Sequence, residues 1–352
     1  MNNFQFINVF YIYLLLPVLL FVIILSLTIY KKRIERRTKL WQESIAVLIS
    51  ESIFFTEGEE PEDINDNYSN LINLPAYRQC LINEILKIRK SLSGISTVNL
   101  KEVYEALHLD EDSHKKLKSS KWHIKAKGIQ ELAIMEQVKY VKKIFKLTNN
   151  PNELVRSEAQ CALVNFYGFP GLRFLNVTVY PISQLQQIQL LNVLYLVKAE
   201  NFDPVKKWLN STNKSVVAFA LKLAKFYNCF EVYDDVVKCL QAPNSHIKLN
   251  ALEYLKNMPR EDTPHQVVAT YSYENKEYKL AILEALQIIG TDENISFLQG
   301  RLQDNDDDIK AAAAKALSKL HPQGAAYLLT QSFADLNPWK KIFLQISNER
   351  AA

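Results

Sequence analysis

Three aspartates at alternate positions, Asp304, Asp306 and Asp308, begin a stretch that is typical of a calcium-binding loop. Such a loop also needs a glycine to turn the chain at its sixth position and a chelating glutamate at its twelfth. Ile309 and Lys315 occupy those two positions here. We therefore interpret the aspartates as the acidic first turn of a helix, where negative charge is favourable.

The cysteines and histidines are scattered and match no metal or redox motif. Cys80, Cys161, Cys229 and Cys239 have no CxxC spacing, which favours free thiols in a reducing cytoplasm. The six histidines have no cysteine, histidine or acid at ligand spacing. The chain has only eight glycines, and GFPG at 168–171 lacks the third glycine of a dinucleotide-binding loop. The sequence therefore predicts no metal, no cofactor and no catalytic residue.

Two tryptophans stand beside lysines, Trp208 in VKKWL and Trp339 in NPWKK. Large aromatic side chains next to charge are typical of protein–protein contacts, so both are candidate partner-contact residues. Packing inside a helical repeat is the alternative interpretation of each.

The elements that position these residues follow from an internal repeat of 31 residues. Eight anchor positions from residue 120 onward are separated by 31, 30, 31, 31, 31, 31 and 31 residues: Ile124, Val155, Leu185, Val216, Ile247, Tyr278, Ile309 and Lys340. A second apolar column lies eleven residues before the last seven anchors: Ile144, Phe174, Val205, Val236, Val267, Leu298 and Leu329. Each repeat therefore predicts a hairpin of helix A and helix B, which needs its stacked neighbours to bury its apolar faces.

Other columns have further functions. Asn or Asp three residues before the anchor predicts a helix N-cap, at Asn152, Asn213, Asn244, Asn275, Asp306 and Asn337. A small residue four positions after the anchor predicts close approach of a neighbouring helix. A basic residue follows the anchor at Lys125, Arg156, Lys248, Lys279 and Lys310, and these are candidate partner contacts. The alternative is that the basic residues bond to turn carbonyls and neighbouring acids.

The segments NELVRSEAQCAL at 152–163, NSHIKLNALEYL at 244–255 and DDDIKAAAAKAL at 306–317 resemble HEAT repeats, in particular the short bacterial kind. The resemblance covers roughly residues 120–352. It implies an all-α, right-handed solenoid of about eight hairpins, with helix B on the concave side. The third repeat departs most, with Gln186 and Gln189 at its basic and small positions, and the eighth has Lys340 as its anchor. HEAT-like solenoids mostly provide extended surfaces, although some are lyases or DNA glycosylases.

The first 30 residues carry no charged side chain, and residues 10–30 are almost wholly apolar. Twenty-one helical residues span about 31 Å, close to the thickness of the bilayer core. The basic n-region and the cleavage site of a secretory signal peptide are missing. Six basic residues follow, and we expect them to lie at the membrane surface on the cytoplasmic side: Lys31, Lys32, Arg33, Arg36, Arg37 and Lys39. This predicts a single-pass inner-membrane protein with its N-terminus outside and its repeats in the cytoplasm.

The charge of the chain excludes a strongly basic repeat domain. The 42 Lys and Arg exceed the 38 Asp and Glu by four, and the basic block at 31–39 accounts for that excess. A solenoid that binds nucleic acid would need a basic surface, so we expect none to bind. The basic block itself would favour anionic lipid head groups.

The domain organisation predicted from these patterns has four parts. Residues 1–30 are the membrane helix and 31–40 the basic juxtamembrane segment. Residues 41–118 form a helical linker and N-terminal cap region that includes the acidic loop EGEEPEDIND at 57–66, and residues 119–352 form the solenoid.

The function expected from the sequence is that of a non-catalytic scaffold or adaptor, which docks a protein partner at the inner membrane through its solenoid surface. A HEAT-fold enzyme, lyase-like or other, is one alternative, and it would require carboxylate, histidine or tyrosine side chains gathered in a pocket. An accessory subunit of a membrane-embedded envelope or polysaccharide assembly enzyme is the other.

Overall fold

The computed structural model of the chain describes residues 3–53, 70–91, 95–199, 201–272, 274–320, 324–331, 334 and 339–343. Every regular element among these residues is a helix. The prediction of an all-α fold is confirmed. The chain divides into two compact units, residues 1–166 and 167–352. The acidic loop at 57–66 and the cap residue Asn337 lie outside the described residues.

The first unit begins with one long helix, α1, from Asn3 to Ile53. Its large apolar side chains from Leu15 to Tyr30 are exposed. The helix is long and apolar enough to cross a membrane, and none of its most apolar window is buried. The same helix runs on without a break through the basic block, so residues 30, 31 and 40 are not element boundaries.

The lower part of α1 packs into the core of the first unit. Helices α2 (Pro75–Ser91) and α3 (Ile95–Ala106) pack on it. Trp41 meets the ring of Tyr77 edge to face at 5.8 Å, and Ser44 and Tyr77 share a hydrogen bond of 2.9 Å. Fifteen buried side chains form this core: Trp41, Ile45, Leu48, Ile49, Ile72, Tyr77, Leu81, Ile82, Ile85, Leu100, Val103, Tyr104, Leu107, Leu109 and Met135. The unit therefore includes α1 as a structural element.

The first helical hairpin consists of α4 (Leu109–Leu117) and α5 (Trp122–Ile134). A Cβ added to Gly128, at the predicted small position, would lie 2.7 Å from Cβ of Lys116 and from the carbonyl oxygen of Ser113. Glycine is therefore required for the close approach of α4 to α5. The expected domain boundary at residue 118 falls inside this hairpin. The sequence of α4 is too polar to match the apolar column, because its buried residues are held by hydrogen bonds.

The second hairpin has a short helix A, formed by a 3-10 turn at Val138–Tyr140 and by α6 (Val141–Phe145), and a longer helix B, α7 (Glu153–Tyr167). Asn152 Oδ1 accepts a hydrogen bond from the backbone N–H of Val155 at 3.2 Å. The predicted cap and anchor are therefore both present in this repeat.

The second unit continues the hairpins from the third repeat onward. The third helix A is a 3-10 helix, Phe169–Val177, and its helix B is α8 (Gln184–Leu194). The later helices alternate between A and B: α9 (Asp203–Leu209), α10 (Lys214–Phe226), α11 (Tyr233–Cys239), α12 (Ser245–Asn257), α13 (Thr263–Ala269), α14 (Lys276–Ile289), α15 (Ile295–Arg301), α16 (Asp307–Leu320) and α17 (Gly324–Leu329). Helices α10, α12, α14 and α16 pack side by side in this order.

The predicted columns agree with the burial of most repeats. The alanines at the small position, Ala159, Ala220, Ala251 and Ala313, are fully buried. Asn244 caps the N–H of Ile247 at 3.1 Å, and Asn275 caps that of Tyr278 at 2.9 Å. The repeat assignment is therefore right in its period and in the direction that most helices face.

In the eighth repeat the register shifts back by one residue. Leu328 is buried where Leu329 was expected, and Trp339 and Phe343 are buried next to exposed Lys340. Trp339 is thus the anchor of this repeat, thirty residues after Ile309. A large aromatic residue replaces the branched aliphatic anchor, which is why the sequence pattern missed it.

Candidate protein-binding surface

The third repeat has the opposite shift, forward by one residue. Ser183 caps the N–H of Gln186 at 3.3 Å, and Gln186, Leu190 and Leu194 are buried in the positions that the anchor column occupies elsewhere. Leu185, the expected anchor, is 66% exposed. The prediction that Leu185 faces the core is wrong, because the cap sets the start of α8 one residue later.

This shift turns an apolar face of α8 toward solvent. Leu185, Ile188, Tyr195 and Leu196 are 66%, 53%, 74% and 89% exposed, and we call these four residues the α8 face. They recur at the three- and four-residue spacing that places side chains on one side of a helix. An apolar patch of this kind on a soluble unit marks a surface that binds something.

Helix α10 runs beside α8 and borders the α8 face. Ser215 Oγ accepts a hydrogen bond from the backbone N–H of Ile182 at 2.9 Å at one end of the pair. At the other end the Tyr227 hydroxyl donates to the carbonyl oxygens of Leu194 and Val197, at 3.3 and 3.1 Å. Because both ends are joined, Lys222 and Phe226 on the exposed side of α10 lie next to the α8 face.

Lys222 is a half-buried ammonium group without an acidic partner among the described residues. Burial alone lowers its pKa below the ordinary value for lysine. The neighbouring Lys225 differs, since its Nζ lies 3.1 Å from Glu253 on α12. A carboxylate brought to Lys222 from outside would therefore meet an unpaired positive charge.

The charge of the second unit changes along the chain. Residues 167–230, which contain the third and fourth repeats, have seven Lys or Arg and two Asp or Glu. Residues 231–352 have thirteen basic and seventeen acidic residues. No acidic residue occurs between Asp203 and Glu231. The apolar α8 face is thus combined with the basic part of this unit.

The family comparison agrees with the repeat assignment. A profile of the family described as HEAT repeats matches residues 267–340. The chain contains HEAT repeats. No curated protein is significantly similar to this sequence.

Solved structures with similarity to the chain include a HEAT-like enzyme and a designed protein. Human deoxyhypusine hydroxylase in complex with glycerol is 11% identical, with 80% of this chain and 97% of that chain covered and a TM-score of 0.31. An engineered protein is 15% identical, with 86% and 88% covered and a TM-score of 0.33. Similarity at this level does not carry the function of either protein to this chain.

The two tryptophans that the sequence offered as partner contacts lie inside the HEAT repeats. Trp208 is 2% exposed, and its Nε1 donates to Asn176 Oδ1 at 3.0 Å. Trp339 is 6% exposed and packs on Phe343 with ring centroids 5.7 Å apart. These positions favour the packing alternative over partner contact for both residues.

The basic column of the HEAT repeats is also engaged within the chain. Arg156 is buried and donates to the carbonyl oxygens of Asn150 and Pro151 at 2.8 and 2.9 Å. In the third repeat Gln187 takes this position and donates to the carbonyl oxygen of Ile182 at 3.2 Å. These contacts hold the A–B turn against helix B, as the structural alternative predicted.

Later members of the basic column bond to side chains instead. Lys248 forms an ion pair with Glu274, and both side chains are mostly buried. Lys310 lies 3.5 Å from Asp307 and also 5.0 Å from the ring centroid of Trp339, and Lys279 lies 5.3 Å from that of Tyr271. Lys125 at the start of the column is half-buried, and it has no ion pair among the described residues. Together these contacts favour a structural function for most of the column.

The six basic residues of the juxtamembrane block are exposed, and so remain available to a charged surface. Within the block Lys31 pairs loosely with Glu35 at 3.8 Å, and the Arg37 guanidinium lies 4.5 Å from the ring centroid of Trp41. The second contact joins the block to the core of the first unit.

A buried polar network in the first unit is the strongest candidate for enzymatic chemistry. Glu131, 1% exposed, accepts hydrogen bonds from Ser113 at 2.5 Å and Gln79 at 3.1 Å, and it forms an ion pair with Lys116. The Tyr104 hydroxyl donates to Ser113 at 2.7 Å. Every carboxylate oxygen here is engaged, which is typical of a network that stabilises a fold. Within the described residues no group of His, Cys, Asp and Glu side chains could hold a metal ion.

Proposed function

We propose that this chain is a membrane-anchored cytoplasmic scaffold, which docks a protein partner through its HEAT repeats and has no catalysis of its own. The observation that carries the proposal is the α8 face. Repeat solenoids use such surfaces to bind other proteins, and a large exposed apolar patch is costly unless something covers it.

The membrane part of the proposal is supported by α1. Its exposed apolar side chains from Leu15 to Tyr30 have no covering partner among the described residues, and the basic block follows directly. Lys and Arg next to a membrane helix remain on the cytoplasmic side. This orientation places the repeats in the cytoplasm and the N-terminus outside, with anionic lipid head groups near residues 31–39.

A topology reporter tests this proposal. Alkaline phosphatase, fused after Ala352, is active only outside the cytoplasm, and we expect the fusion to be inactive and to sediment with membranes. A fusion to the N-terminus gives the opposite result. An active C-terminal fusion, or a chain that leaves the membrane in alkaline carbonate, would overturn the anchored cytoplasmic scaffold.

A further inference from the structure

We infer that the α8 face and Lys222 together bind an amphipathic helix of a partner protein, with apolar residues against α8 and an acidic residue paired with Lys222. The inference rests on the proposed function, because it names the chemistry of the docked partner.

The dimensions of the α8 face suit a helical partner. Leu185 and Leu196 are eleven residues apart, which corresponds to about 16 Å along a helix, or about three turns. A partner helix that lies along α8 would present apolar side chains at positions i, i+3 or i+4, and i+7. Phe226 on α10 is partly exposed and extends the apolar surface to one side.

The charge around the face selects an acidic partner. Lys222 is half-buried and has no acid to pair with among the described residues, whereas Lys225 already pairs with Glu253 at 3.1 Å. A carboxylate on the side of the partner helix that faces α10 would make the ion pair that Lys222 lacks. A basic residue at the same place would be repelled, so charge gives the site its specificity.

A membrane surface fits this face less well than a protein helix. Anionic lipid requires a surface of uniformly positive charge. Glu253 occupies on α12 the repeat position that Lys222 occupies on α10, and its pKa, raised by burial, is lowered further by Lys256 and Lys225, so that it is charged at neutral pH. A lipid surface would meet this carboxylate beside the lysine.

A second copy of the chain fits it less well too. A symmetric contact between two α8 faces would be isologous, so that each Lys222 would lie near the other and no acid would accompany the apolar residues. The charge of residues 167–230, seven basic against two acidic residues, would be doubled in such a contact.

The test uses the full-length chain in nanodiscs of neutral phosphatidylcholine and two labelled synthetic peptides. Both peptides carry leucine at the same helical positions, and one has glutamate at every flanking position where the other has lysine. Fluorescence anisotropy gives the affinity after subtraction of binding to empty nanodiscs. We expect the glutamate peptide to bind about tenfold or more tightly than the lysine peptide.

Three variants locate the site. Lys222→Glu should reverse the preference, so that the lysine peptide becomes the tighter ligand. Ile188→Asp should weaken the glutamate peptide by about tenfold or more, since it places a charge in the apolar contact. The matched control is Ile288→Asp on α14, where the wild-type isoleucine is 65% exposed but lies outside the α8 face. It should leave binding unchanged, and circular dichroism confirms that all variants are folded.

Several results would overturn the inference. Equal binding of both peptides, no binding of either, or an affinity that ignores Lys222→Glu would each exclude the acidic helix. Self-association of the chain that Ile188→Asp abolishes would assign the face to a second copy. Displacement of the peptide by vesicles of anionic lipid would assign it to the membrane. The phosphatase fusion is independent of all of these, so a failed peptide test with an inactive fusion rejects this inference and leaves the anchored scaffold in place.

Discussion

The Ser183 hydroxyl accepts a hydrogen bond from the backbone N–H of Gln186, three residues along the chain, at 3.3 Å. Asn244 and Asn275 make the same contact with Ile247 and Tyr278. The cap therefore defines the repeat register better than hydrophobicity does. With Gln186 as the third anchor, the intervals to Val155 and Val216 are 31 and 30 residues.

This register predicts opposite effects for two leucines of α8. Leu190→Asp should destabilise the chain by several kcal/mol, because an unpaired charge would enter a fully buried site. Leu185→Asp should change the stability by about 0.5 kcal/mol or less, since that side chain is exposed. Thermal unfolding of the chain without residues 1–39 measures both. A larger loss for Leu185→Asp than for Leu190→Asp would return the register to Leu185.

A second prediction concerns the small position in the fifth repeat. Ala251 is fully buried, so Ala251→Asp should cost several kcal/mol. Because repeat stability is a sum over neighbouring repeats, the lesion should divide the unfolding transition into two. Ala251→Ser, which keeps the size nearly unchanged, is the control. An unchanged melting temperature in Ala251→Asp would be incompatible with the repeat assignment.

The ion pair of Lys248 and Glu274 supports a third prediction. Since both side chains are mostly buried, Lys248→Ala leaves a carboxylate without its partner and should cost about 1 to 3 kcal/mol. This exceeds the effect expected for a surface lysine, which is about 0.5 kcal/mol or less. Adding Glu274→Gln to Lys248→Ala should recover part of the loss. A double variant that is less stable than Lys248→Ala would show that the two residues do not act as a pair.

The fourth prediction follows from the continuity of α1. A chain that begins at residue 40 keeps Trp41, Ile45, Leu48 and Ile49 and should be soluble, helical and resistant to proteases. A chain that begins at residue 51 loses all four core side chains, each worth about 1.5 to 3 kcal/mol of burial. Its first unit should be cleaved rapidly in limited proteolysis. Equal resistance of the two chains would show that α1 is dispensable for this core.

The cysteines give a fifth prediction, on reactivity. Burial raises the pKa of Cys161 and Cys229 to about 12 and that of Cys239 to about 11, so their thiolate fractions at pH 8 are about 0.0001 to 0.001. A thiol reagent at pH 8 should therefore label these three residues only after denaturation. Mass spectrometry of the labelled peptides identifies the sites. Rapid labelling of Cys229 or Cys239 in the native chain would contradict their burial.

The period of the repeats and most of their interior could be predicted from the sequence, because a helix hairpin requires apolar residues at fixed intervals. The shifts in the third and eighth repeats could not. In the third, a glutamine occupies the anchor and its amide group is buried, so hydrophobicity pointed to the leucine beside it. In the eighth, Trp339 adjoins two lysines and was interpreted as a surface residue.

The first hairpin was missed for a related reason. Ser113 and Glu131 bury polar groups against each other, and a polar pair that satisfies its own hydrogen bonds has no signature in a pattern of apolar residues. The α8 face had one signal in the sequence. Ser183 stands three residues before Gln186, and this cap spacing would have moved Leu185 and Ile188 to the outside.

The unbroken α1 also sets a stand-off distance. In the orientation proposed above, Trp41 follows Tyr30 by eleven residues, and so lies about 16 Å beyond the end of the apolar stretch. The head-group layer accounts for roughly 5 to 7 Å of this. The remaining distance is close to a Debye length at physiological salt, about 8 Å. The helical stalk would therefore hold the first unit outside the electrostatic reach of the lipids, and a partner that stays within the bilayer would need a cytoplasmic extension of at least this height to touch it.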